Sequence, residues 1–185
     1  MTKQQKLDFL LNSLSGEFPY GIPARLIHLD ERNLLRALMN IRPPKPISEQ
    51  FLKIQDALLQ EELQEKIVTD TLGLPPVPLH PMISLWRGDI TTLPADAIVN
   101  AANSGMLGCF VPCHRCIDNA IHSAAGIQLR EECHRLMVAQ GHPEPTGQAK
   151  ITGAYNLPSR HIIHTVGPII GGSLSKTDCD LLASG

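Results

Sequence analysis

Cys109, Cys113, His114 and Cys116 lie within eight residues, inside the stretch NAANSGMLGCFVPCHRCIDNAIHSAAG (residues 100–126). Thiolate and imidazole are the ligands that zinc takes in tetrahedral geometry. His114 and Cys116, two residues apart, can reach one metal from a turn, and Cys109 can close back onto them across Pro112. Three ligands would leave the fourth position open, as in catalytic zinc sites. A fourth from Cys113 would close the site and make it structural. Cys113 adjoins His114, so bringing both to one ion in a tight loop is strained. The C-x4-H-x-C spacing is none of the standard finger or ribbon patterns, and a disulfide or chance clustering is the plainer alternative. The chain has five cysteines. An odd, clustered set makes a poor disulfide framework and a better metal cluster.

Other polar groups flank the cluster. Asn100 and Asn103 carry amides suited to sugar hydroxyls, or to turn formation at a strand end. Asp89 follows a strand and a glycine. A carboxylate there can accept hydrogen bonds from an amino group such as that of adenine, or cap the turn that follows. Asp118 stands in the first turn of the helix after the cluster. Three uses are open to it: a carboxylate held by the helix dipole, a partner that orients His114, or a catalytic group. His122, one turn on, reads as a packed helix histidine, and His161 and His164 flank a strand and read as structural. Cys133 falls on an apolar helix stripe and reads as an inert core thiol.

The elements that must position these groups come in two blocks. Leu7, Leu10, Leu11 and Leu14 repeat at helical spacing. Asp30 can cap a second helix carrying Leu34, Leu35, Leu38 and Met39, stopped by Pro43, Pro44 and Pro46. Ser48 can cap a third with Phe51, Ile54, Leu58, Leu59 and Leu63 on one side and acidic residues on the other, a solvated face. These helices are expected to pack onto the next domain or cover one of its edges. The proline-rich stretch 71–81 reads as a connector. Beyond it, residues 83–86 and 97–99 read as strands, Ile117 to Ala125 as a helix interrupted at Gly126, and Leu129, Cys133 and Leu136 as a second helix ending at Gly141. Residues 149–153 and 161–166 read as two more strands. Helices followed by strands mixed with helices imply an α/β main domain over 81–185, after a helical extension over 1–80.

Of the 185 residues 43% are apolar, with net charge −2, one Trp, two Tyr and four Phe. Near-neutral charge and few aromatics argue against a nucleic-acid partner. No apolar run is long enough for a signal peptide or a membrane span, so no membrane role is read and the expected location is the cytoplasm, where thiols stay reduced.

Four segments together resemble a known family: WRGDIT (86–91), AIVNAAN (97–103), IDNAIH (117–122) and IIHTVGP (162–168). In this order they are similar to the macrodomains, which bind ADP-ribose and in several cases remove it from modified proteins. The family's usual glycine run after the NAAN motif is replaced here by the longer loop 108–116. That loop resembles the zinc-dependent macrodomains of bacteria and some fungi, which also carry a helical N-terminal extension. The resemblance implies a three-layer α/β/α fold with a mixed central sheet. It implies zinc on Cys109, His114 and Cys116, with Cys113 outside the ligand pattern. It implies that Asp89, with the Ile90 backbone beside it, contacts adenine. Asn103 would orient the distal ribose, and Asp118 would match the carboxylate of the zinc-free hydrolases. The implied partners are ADP-ribose and an ADP-ribosylated protein, and the implied activity is hydrolytic release of ADP-ribose from acidic side chains. A reader without turnover, a module whose zinc is structural and a hydrolase of small ADP-ribose esters are the alternatives. The family's fold continues past the matched segments with further strands and a second glycine loop. On this resemblance only about three fifths of the module is present, so unpaired edges, poor stability and weak activity are expected.

Overall fold

The computed structural model describes residues 1–71 and 73–184. It opens with a three-helix unit: α1 (Lys3–Ser15), α2 (Glu31–Ile41) and α3 (Glu49–Gln64). Asp30 and Ser48 cap α2 and α3 as their sequence positions imply, accepting from the backbone N–H of Asn33 and Phe51. Thr2 and Gln5 close a reciprocal capping box on α1. Each cap supplies about 1 kcal/mol by satisfying an otherwise orphaned donor. The apolar stripes meet in a core of Leu10, Leu14, Leu35, Leu38, Phe51 and Leu58.

The second core belongs to a mixed sheet. Strands β3 (Ala97–Ala101), β4 (Ala149–Gly153) and β5 (His161–Thr165) stand in the order β3-β5-β4, with β3 and β5 parallel and β4 and β5 antiparallel. Helices α4 (Ile117–Ala125) and α5 (Ile127–Gln140) pack on one face, where Ile98, Ile121, Leu129, Cys133 and Ile162 are buried together. Strand periodicity then turns Asn100, Thr152 and His164 inward as well. Val99, Ile163 and Ile151 align in register on the opposite face, where Val99 and Ile151 are 53% and 59% exposed. Gly126 separates α4 from α5 with φ 98°, and Gly141 ends α5 with φ 79°. Both angles lie in the left-handed region that glycine enters without Cβ strain.

Two expectations need correction. The strand expected at 83–86 is β2 (His80–Ser84), and it does not join the main sheet. It pairs antiparallel with β1 (Pro76–Val77) in a small hairpin, so the stretch read as a connector supplies strand residues and the 80/81 boundary falls inside the hairpin. Every residue of β2 is exposed. A two-stranded edge tolerates Pro76 and Pro81 because a missing N–H there faces solvent. The second correction is a helix that sequence reading missed, α6 (Lys176–Ser184). Ser175 and Asp178 cap it reciprocally, with Asp178 N–H on Ser175 Oγ at 3.1 Å and Ser175 N–H on Asp178 Oδ2 at 2.9 Å.

The helical unit packs onto the α/β domain, as expected, through a hydrogen-bonded seam. Arg130 of α5 is buried and donates from Nη1 to the carbonyls of Met39, Asn40 and Arg42 at 2.7–2.9 Å. Those carbonyls form the C-terminal end of α2, where a cation is favoured. Its Nε donates to Leu107 O at 2.6 Å. Gln55 of α3 accepts from the Ile127 N–H at 3.0 Å and donates to Gln128 at 2.7 Å.

Candidate functional site

The loop between β3 and α4 brings Cys109, His114 and Cys116 together. One ligand atom from each lies within 4.8 Å of the others, and Cys109 Sγ is 3.6 Å from His114 Nδ1. Zinc–sulfur and zinc–nitrogen bonds of about 2.3 and 2.0–2.1 Å, at tetrahedral angles, give ligand–ligand edges of about 3.5–3.8 Å. The observed sulfur–nitrogen edge fits, and two thiols with one imidazole are a zinc donor set. Cys116 also caps α4, its sulfur accepting from the Asn119 N–H at 3.4 Å. Burial pushes the Cys116 thiol above its ordinary value, against that N–H. A metal must therefore displace a proton to bind there.

Cys113 is turned away from this trio. Its Sγ donates to the carbonyl of Asn33 on α2 at 3.3 Å, and its N–H donates to Asn40 Oδ1 at 2.9 Å. Its φ of 51° marks the sharp turn that separates it from His114. The strain anticipated from adjacent ligands is thus resolved by facing Cys113 toward the helical unit, and three donors converge rather than four.

These donors line an open cleft of about 540 Å³ with Ala101, Asn103, Gly108, Phe110 and Asp118. Asn103 Oδ1 accepts from Gly105 N–H at 3.0 Å and its Nδ2 donates to Gly108 O at 3.3 Å. The amide therefore holds the turn while it lines the cleft. Asp118 is 5% exposed, and its Oδ1 accepts from Asn100 Nδ2 at 2.8 Å. Burial raises its pKa above the usual carboxylate range, with the Asn100 bond opposing. Of its three anticipated uses, a bond to His114 is not formed among the described residues. Asn100 departs from expectation: it is 0% exposed and bonds Asp118 and His164 instead of facing a ligand. The alternation that buries Ile98 carries Asn100 to the same face.

Asp89 and Ile90 do not line this cleft. Asp89 caps the 3-10 turn Ile90–Thr92, accepting from the Thr91 N–H at 2.9 Å and the Thr91 hydroxyl at 2.7 Å, and Lys66 Nζ lies 3.3 Å away. These bonds hold its carboxyl below the usual range although burial opposes them. The capping use of Asp89 is thus realised. Asp89 borders a separate cavity of about 200 Å³ between α3 and α4, and Ile90 packs against the sheet core.

The comparisons with known proteins bear on this arrangement. Residues 99–185 match the family model described as "Macro domain". The whole chain is 51% identical to the protein-ADP-ribose hydrolase of Treponema medium and covers 72% of it. The chain belongs to the macrodomain protein-ADP-ribose hydrolases. Among solved structures, the macro domain of ganglioside-induced differentiation-associated protein 2 is 28% identical with TM-score 0.50, over 64% of this chain and 60% of that one. The Oceanobacillus iheyensis macrodomain is 42% identical with TM-score 0.45, over 52% of this chain. This chain spans about half (49%) of that macrodomain's length.

The macrodomain core contains a second cluster of ligand types, His122, Cys133 and His164, all buried. Asn100 Nδ2 approaches His164 Nδ1 at 3.1 Å, and Thr152 Oγ1 lies 3.0 Å from Nε2. If the amide donates to Nδ1, the ring proton sits on Nε2 facing Thr152, and no lone pair is left there for a metal. Burial holds His164 down to about 4 and His122 well below its ordinary value, and pushes the Cys133 thiol up to about 12. The three are neutral packing groups of the macrodomain, as their sequence positions suggested. What the sequence reading missed is polar and remote: Arg36 and Asn40 of α2, Asn119 and Arg130 all reach the cysteine loop or its flanks.

Proposed function

We propose that this chain hydrolyses the bond between ADP-ribose and an acidic side chain of a modified protein, with zinc held by Cys109, His114 and Cys116. The observation that carries the reading is the convergence of those three donors on one wall of a cleft that also presents Asn103 and Asp118. The Treponema medium relative is named a protein-ADP-ribose hydrolase, and the reading extends that activity to this chain. ADP-ribose is taken as the ligand on the same relative's name, and the cytoplasm, where thiols stay reduced, as the setting.

In this reading the cleft takes the distal ribose and the scissile bond. Asn103 presents an amide to the ribose hydroxyls. Water adds its oxygen to the anomeric carbon while the bond to the carboxylate oxygen breaks. Free ADP-ribose and the regenerated aspartate or glutamate leave. Asp118, raised in pKa by its burial, is the group placed to hold the proton that water gives up. A bound zinc ion would supply Lewis acidity toward an oxygen at the open fourth position. The anionic diphosphate needs no basic cluster, because backbone N–H groups at a helix N-terminus suffice.

The test measures zinc content together with release of ADP-ribose from an aspartate- or glutamate-modified protein, with and without a chelator. One zinc per chain and chelator-sensitive release are expected. Cys116→Ala is expected to abolish both while ADP-ribose still binds. Release that persists undiminished without metal would sink the zinc part of the reading. Binding without any release would reduce the chain to a reader.

A further inference from the structure

The cysteine loop holds its shape only in part by itself, through the His114 N–H on the Val111 carbonyl at 3.2 Å. Its backbone is fixed largely from outside, by α2 and by Asn119 in the first turn of α4. Arg36 Nη2 donates to the carbonyl of His114 at 3.1 Å and to Asn119 Oδ1 at 2.7 Å. Asn119 is fully buried, and its Nδ2 donates to the carbonyl of Val111 at 3.0 Å and lies 3.5 Å from that of Cys109. Its N–H also serves the Cys116 sulfur. Asn119 therefore touches two of the three donor residues, Cys109 through its side-chain amide and Cys116 through its backbone N–H. Asn40, four residues along α2 from Arg36, accepts the Cys113 N–H at 2.9 Å and donates to Ser123 Oγ at 3.0 Å. It thereby locks the turn whose reversal points Cys113 away.

We propose that Arg36 and Asn40, with Asn119 between helix and loop, are positioning residues of the metal centre, so that the helical extension is a working part of the site. The inference rests on the metal reading above. It adds that the three-donor shape is imposed by the protein before metal arrives. Groups that orient ligands in this way typically change metal affinity by about 10–100-fold when removed.

The experiment compares zinc affinity, by competition against a chromophoric chelator, and the visible absorption of the cobalt-substituted full chain. Arg36→Ala and Asn119→Ser are expected to weaken zinc by about 10–100-fold and to alter the cobalt bands. Asn40→Leu, which removes the acceptor for the Cys113 N–H, carries the same expectation. Arg32→Ala is the control. Arg32 also lies on α2 and pairs with Glu62 of α3 at 2.7 Å, but it makes no bond to the loop among the described residues. It is expected to lower the melting temperature and leave zinc affinity unchanged. If Arg36→Ala fails to fold, Arg36→Lys, which keeps the charge but not the fork to two acceptors, carries the same expectation. Equal zinc affinity in the folded Arg36 and Asn119 variants overturns the proposal, as does an Arg32→Ala loss of the same size. A wild-type chain that takes up no zinc overturns the metal reading as well, which separates the two failures.

Discussion

At the scale of single residues, the cleft separates charge from geometry at Asp118. Asp118→Asn keeps an oxygen for the Asn100 donor, so stability should change by less than about 1 kcal/mol. Turnover should fall by about 100-fold or more if the carboxylate handles the proton. Steady-state rates on a modified protein check this, and an undiminished rate removes Asp118 from the chemistry. Gly108 is a second sensitive point. It has φ +78°, and an added Cβ would lie 2.8–2.9 Å from the His122 ring. Gly108→Ala should cost about 1–3 kcal/mol and, because Cys109 follows directly, weaken zinc binding; a melting curve and a zinc titration read both effects. Cys109, His114 and Cys116 were legible because their types and short spacing are local properties of the sequence. Arg36 and Asn40 were not, since their partners lie 73 to 83 residues away. Asn100 could have been read correctly: it is two residues from Ile98 on a strand, and so shares its buried face.

At the scale of elements, helix starts were legible because Asp30 and Ser48 precede apolar stripes of period 3.6, and the Gly126 break was legible because glycine alone enters that φ easily. The S-x-x-D sequence at 175–178 carries the start of α6 just as plainly. The hairpin of β1 and β2 was obscured by its prolines, which look like connector residues wherever no second sheet is suspected. The seam between elements was illegible because it is built of long-range polar bonds. Arg130 is its centre: besides its four carbonyl acceptors, its guanidinium sits 4.3 Å from the Phe110 ring, which lines the cleft. Arg130→Met should cost about 3–5 kcal/mol, because it strands buried carbonyls and loosens both α2 and the loop. Urea unfolding would show it as a lower midpoint with an unchanged slope.

At the scale of the whole molecule, the buried histidines set a pH limit. His164 is held down to about 4 and His122 well below its ordinary value, both chiefly by burial. The unfolded chain therefore binds more protons than the folded one as pH falls below about 6.5, and stability must decrease through that window. The span from 6.5 to about 4 for His164 corresponds to a loss of about 3 kcal/mol when complete. Asp118, raised in pKa, acts in the opposite sense. Denaturant midpoints of the metal-free chain between pH 7 and pH 4 should fall, and a flat profile would show that water or a rearrangement relieves the histidines. The mixed sheet with its helical prefix was readable as a class, from the order of the patterns. How the two blocks join was not.

The bonds that hold the cysteine loop also impose an order in time. Helices α1 to α3 meet through contacts between chain neighbours, which form early because little loop-closure entropy opposes them. The loop's anchors on α2 close only across those 73 to 83 residues, after the helical unit exists to receive them. If the chain holds zinc as proposed, productive capture of the metal would come last in the life of the newly made chain. Ions that met the two thiols and the imidazole earlier would meet donors not yet arranged, off the path to the proposed centre.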